Sequence, residues 1–172
     1  SKRFGKENGL YSLRASPGDP SWGSIDAIIN LGINDSYVRE VEPQIGKRAA
    51  LEIYRRFIHH FSVSVFGIDG GIFESIYFEE TCSSHIEDGS FCNERTLLSL
   101  VELSKTKFRD EIGMDFPQEF QTQLDLAFQA MSRSWYRPSA QILRSTRGAP
   151  PNASIGIILQ KMVLGVGSEL SG

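Results

Sequence analysis

The chain has 172 residues, 40% of them hydrophobic and 23% charged, with a formal net charge of −3. This is the profile of one globular domain, or of two small subdomains sharing a real core; the acidic balance excludes a broad nucleic-acid surface but leaves room for a local basic pocket that takes a phosphorylated small molecule. No run approaches the roughly 18 apolar residues that span a bilayer, the charged start Ser1 to Glu7 lacks the apolar centre of a signal peptide, and two cysteines are too few for a disulfide scaffold, which makes a reducing cytoplasm the simplest setting.

In chain order, Gly9 to Arg14 alternates apolar and polar residues and predicts a short strand. Residues 15–23 include Pro17, Gly18, Asp19, Pro20, Ser21 and Gly23, a composition that does not sustain regular structure. Ser24 has the chemistry of an N-cap, so a short helix is predicted from there to Leu31, with Asp26 in its first turn. Strand, loop and helix start together make a geometry that holds an anion. Asp35 is the expected cap of a further short helix carrying Tyr37, Val38 and Val41, interrupted by Pro43. The strongest helical pattern is Lys47 to Phe66. There Ala50, Ile53, Tyr54, Phe57, Ile58 and Phe61 recur at helical spacing, opposite Arg48, Glu52, Arg55, Arg56 and His59.

Phe73 to Glu80 is a weaker helical candidate, and the polar stretch Thr81 to Asn93 reads as a loop. Glu94 to Ile112 is amphipathic on Leu97, Leu98, Val101, Leu103 and Phe108. Phe116-Pro117-Gln118 introduces a helix from Glu119 to Ser134, with Phe120, Leu124, Leu126, Ala127, Phe128 and Met131 expected inward. Pro138 suits the first position of a last helix ending near Arg147. Residues 148–152 form a turn, and Ala153 to Leu164, rich in isoleucine and valine, reads as a buried strand. No internal repeat is visible. The expected class is helix-rich α+β, the helical middle reading as an insertion between two pieces of one α/β unit.

Several strings carry a resemblance. They are Ser12-Leu13-Arg14; the run from Ile25 through Asn30-Leu31-Gly32 to Asp35; Tyr54-Arg55-Arg56-Phe57-Ile58; Asp115-Phe116-Pro117-Gln118; Arg133-Ser134-Trp135 with Pro138; and Leu159-Gln160-Lys161-Met162-Val163-Leu164-Gly165. In this order and at these separations they resemble the nucleotide-binding domain of pyruvate phosphate dikinases. The resemblance implies a partial ATP-grasp fold, with residues 1–33 and 115–172 as the α/β subdomain and 34–114 as a helical insertion. It implies that the intact parent converts ATP, pyruvate and phosphate into AMP, phosphoenolpyruvate and pyrophosphate. Magnesium and a phosphohistidine on another domain would serve that reaction, so none of this chain's three histidines inherits the role. A Gly-Gly-Lys-Gly segment and the magnesium-holding residues are not found here, so the chain alone is expected to be inactive.

By the same resemblance Arg14 lies on the ATP phosphates, where a guanidinium fork matches phosphate oxygens. Ser21, Gly23 and Ser24 would offer backbone amides to phosphate, and Gln160, Met162 and Val163 would lie beside the adenine. Residues 16–27 depart most from the family pattern: Gly23 and Asp26 stay in register, a basic residue typical of this loop is missing, and Asp19 would repel phosphate. Alternatives are a pyruvate-water or glucan-water dikinase domain, or a helical interaction module that has lost catalysis. His59 and His60 are neighbours on a helix and point about 100° apart, which prevents joint ligation. Cys82, His85 and Cys92 lack a fourth ligand at zinc spacing. ATP and the remaining domains of the parent are the expected partners, together with a homo-oligomer that covers unpaired sheet edges.

Overall fold

The computed structural model describes residues 9–23, 25–83 and 92–163. Strand β1 (Tyr11–Pro17) leads through a 3-10 turn (Pro20–Trp22) to β2 (Ile28–Leu31). Helices α1 (Asp35–Ile45), α2 (Lys47–Phe61), α3 (Gly70–Ser83), α4 (Glu94–Ile112), α5 (Phe120–Trp135) and α6 (Pro138–Thr146) follow. Strand β3 (Ile155–Lys161) closes the described chain. The sheet has the order β2-β1-β3, antiparallel throughout, so the molecule is a helix-rich α+β structure.

Helices α1, α2 and α4 start or stop where the sequence gives a reason. Asn34, rather than Asp35, caps α1: its side chain accepts the Tyr37 N–H at 2.7 Å, and Asp35 occupies the first turn, where a carboxylate meets the positive helix end. Pro43 lies inside α1 instead of ending it, two residues before its last residue Ile45. Helix α2 continues as a π-helical turn (Ser62–Phe66) and stops at Gly67, whose φ of 75° favours glycine. Asn93 caps α4 through the Thr96 N–H, and Gly113 ends it.

Two expectations fail near the N-terminus. Residues 28–31 form a strand, not the tail of a helix capped at Ser24, and Ser24 lies outside the described residues. The β-branched Ile28 pairs with Leu13 and, with Leu31, enters the core; local capping chemistry loses to that burial. Asn30 takes a left-handed φ of 63° where the β1–β2 register shifts, the local kink of a bulge. In addition β1 runs on to Pro17, because β3 pairs with it along its whole length. Strand β3 was expected to be buried; it alternates half-buried and exposed residues as an outer strand.

One continuous core joins the sheet to the helices. Leu13, Ile28 and Leu31 pack from the sheet against α2 and α5, and α2 packs in turn against α1 and α4. At its centre Phe108 and Phe116 meet at 5.2 Å, with Phe57, Phe61 and Phe66 around them in tilted or edge-on contacts. Leu98, Leu103 and Phe128, expected inward, are exposed. The buried stripes of α4 and α5 are narrower than their apolar composition. Beside the core, Gln123 is fully buried and ties three backbone groups together: it accepts the Gly32 N–H at 2.8 Å and donates to Ile33 O and Pro117 O at 3.0 and 2.9 Å.

Candidate functional site

Partners in an antiparallel pair share a face. Arg14 pairs with Ile158 and Ser12 with Gln160, which puts Arg14, Ile158 and Gln160 on one side of the sheet, diagonal neighbours across β1 and β3. Leu13, one residue along, faces the helices. On the side that carries Arg14, that residue, Ile158 and Gln160 are exposed, with Ile29 exposed on the neighbouring strand, whereas Ser12 is buried. The Arg14 guanidinium has no hydrogen-bond or ion-pair partner among the described residues, so all its donors are available. Met162 and Val163 part company. Met162 packs half-buried against the core, donating its N–H to Leu10 O at 2.7 Å. Its sulfur lies 3.4 Å from the Asn30 N–H. Val163 is 91% exposed.

The loop beside this face is held by its own residues. Asp19 caps the 3-10 turn, accepting the Ser21 N–H at 2.7 Å. Hydrogen bonds from Ser21 hold the Asp19 carboxyl below the usual carboxylate range. The Ser21 amide is therefore engaged, and an anion would have to displace Asp19 to reach it. Ser21 O accepts a hydrogen bond from Arg147, which reaches the loop from the turn after α6. Gly23, at φ 113°, lies under Leu143 of the same helix: a Cβ placed there would sit 3.8 Å from its Cδ2. A non-glycine residue would be strained at that φ.

A cavity of about 420 Å³ opens between residues 25–28, the π-helical turn and the end of α5. Asp26, Ser64, Arg133 and Arg137 are among its polar walls. Arg133 reaches Val65 O at 3.4 Å. The cationic groups that sequence reasoning missed are Arg133 of α5 and Arg137 at the start of α6, which line this cavity, and Arg147 after α6, which reaches the loop. Their only linear signal was a cluster of arginines between residues 133 and 147.

The other candidates resolve into structure. His59 stacks on Phe73 at 5.1 Å, and burial, aided by the charge of Arg55, holds its imidazole below its usual pKa. His60 Nε2 lies 3.1 Å from Ala27 O. Cys82 is exposed, whereas Cys92 is buried with its sulfur 3.5 Å from the Tyr77 hydroxyl. His85 lies outside the described residues. Among the described residues no three His, Cys, Asp or Glu side chains cluster in a way that could hold a metal ion, and no helix there is long and apolar enough to cross a membrane.

No protein-family model matches the chain. Individual relatives do. The chain is 32% identical over 177 aligned residues to pyruvate, phosphate dikinase of Clostridium symbiosum, covering 99% of this chain and 20% of that protein. It is 30% identical to pyruvate, phosphate dikinase of Rhizobium meliloti, covering 91% of this chain and 18% of that protein. Against the chloroplastic pyruvate, phosphate dikinase 1 of Arabidopsis thaliana the identity is 29%, covering 95% and 17%. The chain thus spans about a fifth of the length of the curated relatives it matches. Over nearly its whole length, this chain is a relative of one segment of the pyruvate, phosphate dikinases.

Proposed function

We propose that this chain supplies one wall of an ATP site in a dikinase of the pyruvate, phosphate type, the other wall coming from elsewhere in a longer polypeptide. The observation that carries the reading is Arg14, an unpaired guanidinium on an open sheet face with Gln160 diagonal to it. Arg14 binds the phosphates through charge-assisted hydrogen bonds. Gln160 and the exposed Val163 border the base, and Met162 supports that edge from behind. Ser21, Gly23 and Ser24 border the phosphates, with Asp19 leaving the Ser21 amide on binding. In the parent, phosphoryl groups pass from ATP through a histidine beyond this chain to pyruvate and phosphate. The residues that hold magnesium belong to the rest of the parent, which this reading places opposite Arg14. Residues 34–114 act as the helical insertion of an ATP-grasp-like domain, and a cytoplasmic setting fits a nucleotide-dependent enzyme. Among the described residues β2 and β3 are the outer strands, edges that the rest of the parent or a second copy covers.

Calorimetric titration of magnesium-ATP into this chain and its Arg14→Ala variant tests the reading. Heat from the first that is lost in the second supports it. Equal, measurable heats from both would remove Arg14 from the site and the reading with it; no heat from either moves the same comparison to the full-length parent.

A further inference from the structure

Arg144, in the last turn of α6, is only 7% exposed. Among the described residues it has neither a hydrogen-bond acceptor nor a carboxylate partner. Its guanidinium carbon sits 3.8 Å from the centroid of the Trp135 ring. Stacking covers one face of the guanidinium and leaves its N–H edge free. That edge is not sealed in protein, since among the described residues no buried side-chain nitrogen lacks a partner. It opens instead on a cavity of about 490 Å³ that Arg144 itself lines. The ring and the C-terminal end of α6 offset part of the cost of burying this charge, but neither neutralises it. A buried cation without a counter-ion is expensive, and an anion in the adjoining cavity removes that cost.

The cavity wall indicates which anion. Tyr136, Ile142, Pro150 and Pro151 make much of it apolar. The Gln141 amide is already bonded to Tyr136 O and the Ser145 hydroxyl to Ile142 O, each at 2.8 Å. Arg144 is the only charged residue lining the cavity among the described residues. One guanidinium edge in an apolar pocket matches a single carboxylate, held by two parallel N–H···O bonds, better than a phosphate dianion that calls for several donors.

We infer that this cavity is a binding site for a carboxylate carried on an apolar stem, with Arg144 as its anchor. None of its lining residues lines the cavity beside residues 25–28, and the inference does not rest on the nucleotide reading. The carboxylate could be borne by a small acid or by an acidic side chain flanked by apolar residues in a peptide, and the test separates these sources.

The test follows the indole N–H resonances of Trp22 and Trp135, the two tryptophans of the chain, during titration with 3-phenylpropionate, its neutral amide, inorganic phosphate and a short Leu-Glu-Phe peptide blocked at both ends. The acid should move the Trp135 resonance and leave Trp22 in place, while the amide and phosphate move neither. Tighter binding of the peptide assigns the source to a polypeptide; tighter binding of the free acid assigns it to a metabolite. Arg144→Met should weaken the acid by at least about tenfold, the loss expected for a charge-assisted pair. It should also raise the melting temperature of the ligand-free chain by about 2 °C or more, since it removes an uncompensated buried charge. A Trp135 resonance indifferent to every carboxylate, an equal response to the amide or to phosphate, or a lower melting temperature in Arg144→Met would each overturn the inference.

Discussion

Gln123 offers the sharpest test of how the strands are joined to the helices. Its side chain is fully buried and makes three hydrogen bonds to main-chain groups, Gly32 N–H on one side and Ile33 O and Pro117 O on the other. Replacing it with leucine keeps most of the volume and deletes all three bonds. A buried donor left without an acceptor costs about 1–3 kcal/mol, and the two carbonyls lose a partner each, at about 1 kcal/mol apiece. Gln123→Leu should therefore lose about 3–5 kcal/mol, a large part of the 5–15 kcal/mol that typically holds a domain together. For a chain of this size each kcal/mol moves the melting temperature by about 2–4 °C, which predicts a fall of roughly 6–20 °C. Urea unfolding followed by circular dichroism, with an unchanged slope, gives the free energy directly. A loss below about 1 kcal/mol would refute the reasoning, because water or a small shift would then be replacing bonds taken here as irreplaceable.

Gly32→Ala should be as damaging for a different reason: the added Cβ would lie 2.6 Å from Gly9 O at a φ of 104°, so about 3 kcal/mol or more is expected from clash and strain together, read from the same unfolding curves. His59 predicts a pH dependence. Its folded pKa is depressed by burial and by Arg55, so the unfolded chain binds the proton more readily. Its contribution is complete above the unfolded value of about 6.5 and is lost as pH falls from there towards the lower folded pKa. Melting temperatures at pH 7.5 and 5.5 should differ less in His59→Gln than in the parent chain, and an equal difference would assign the effect to other groups. Arg147→Ala frees Ser21 O at an exposed site, so melting should move by no more than about 2 °C while chymotryptic cleavage after Trp22 becomes faster. Unchanged cleavage would mean that Arg147 does not hold the loop.

Helix existence was legible along the chain because amphipathic spacing and capping chemistry are local. Asn93, Gly113 and the stripe from Leu97 to Phe108 define α4 without reference to any other segment, and its bounds Glu94–Ile112 match the predicted ones. The class, helix-rich α+β, followed from the same patterns, and the likeness to a dikinase segment followed from short strings in a fixed order. Composition and charge likewise needed no structure.

Tertiary structure decided the rest. Residues 28–31 carry a passable helical signal, but hydrogen bonding to the preceding strand β1 and burial of Ile28 and Leu31 make them a strand, a choice that local capping chemistry does not show. The diagonal placement of Arg14 and Gln160 depends on the β1–β3 register, which joins residues almost 150 apart and is fixed by which faces are buried. Arg147 on Ser21 was invisible in the sequence for the same reason, and Arg144 on Trp135 because it depends on how α6 folds back on α5. A guanidinium shows in a sequence only as a charge. Whether it meets a carbonyl, a ring or an open cavity is settled by long-range packing, because that packing sets what each charge can reach and how much water it keeps.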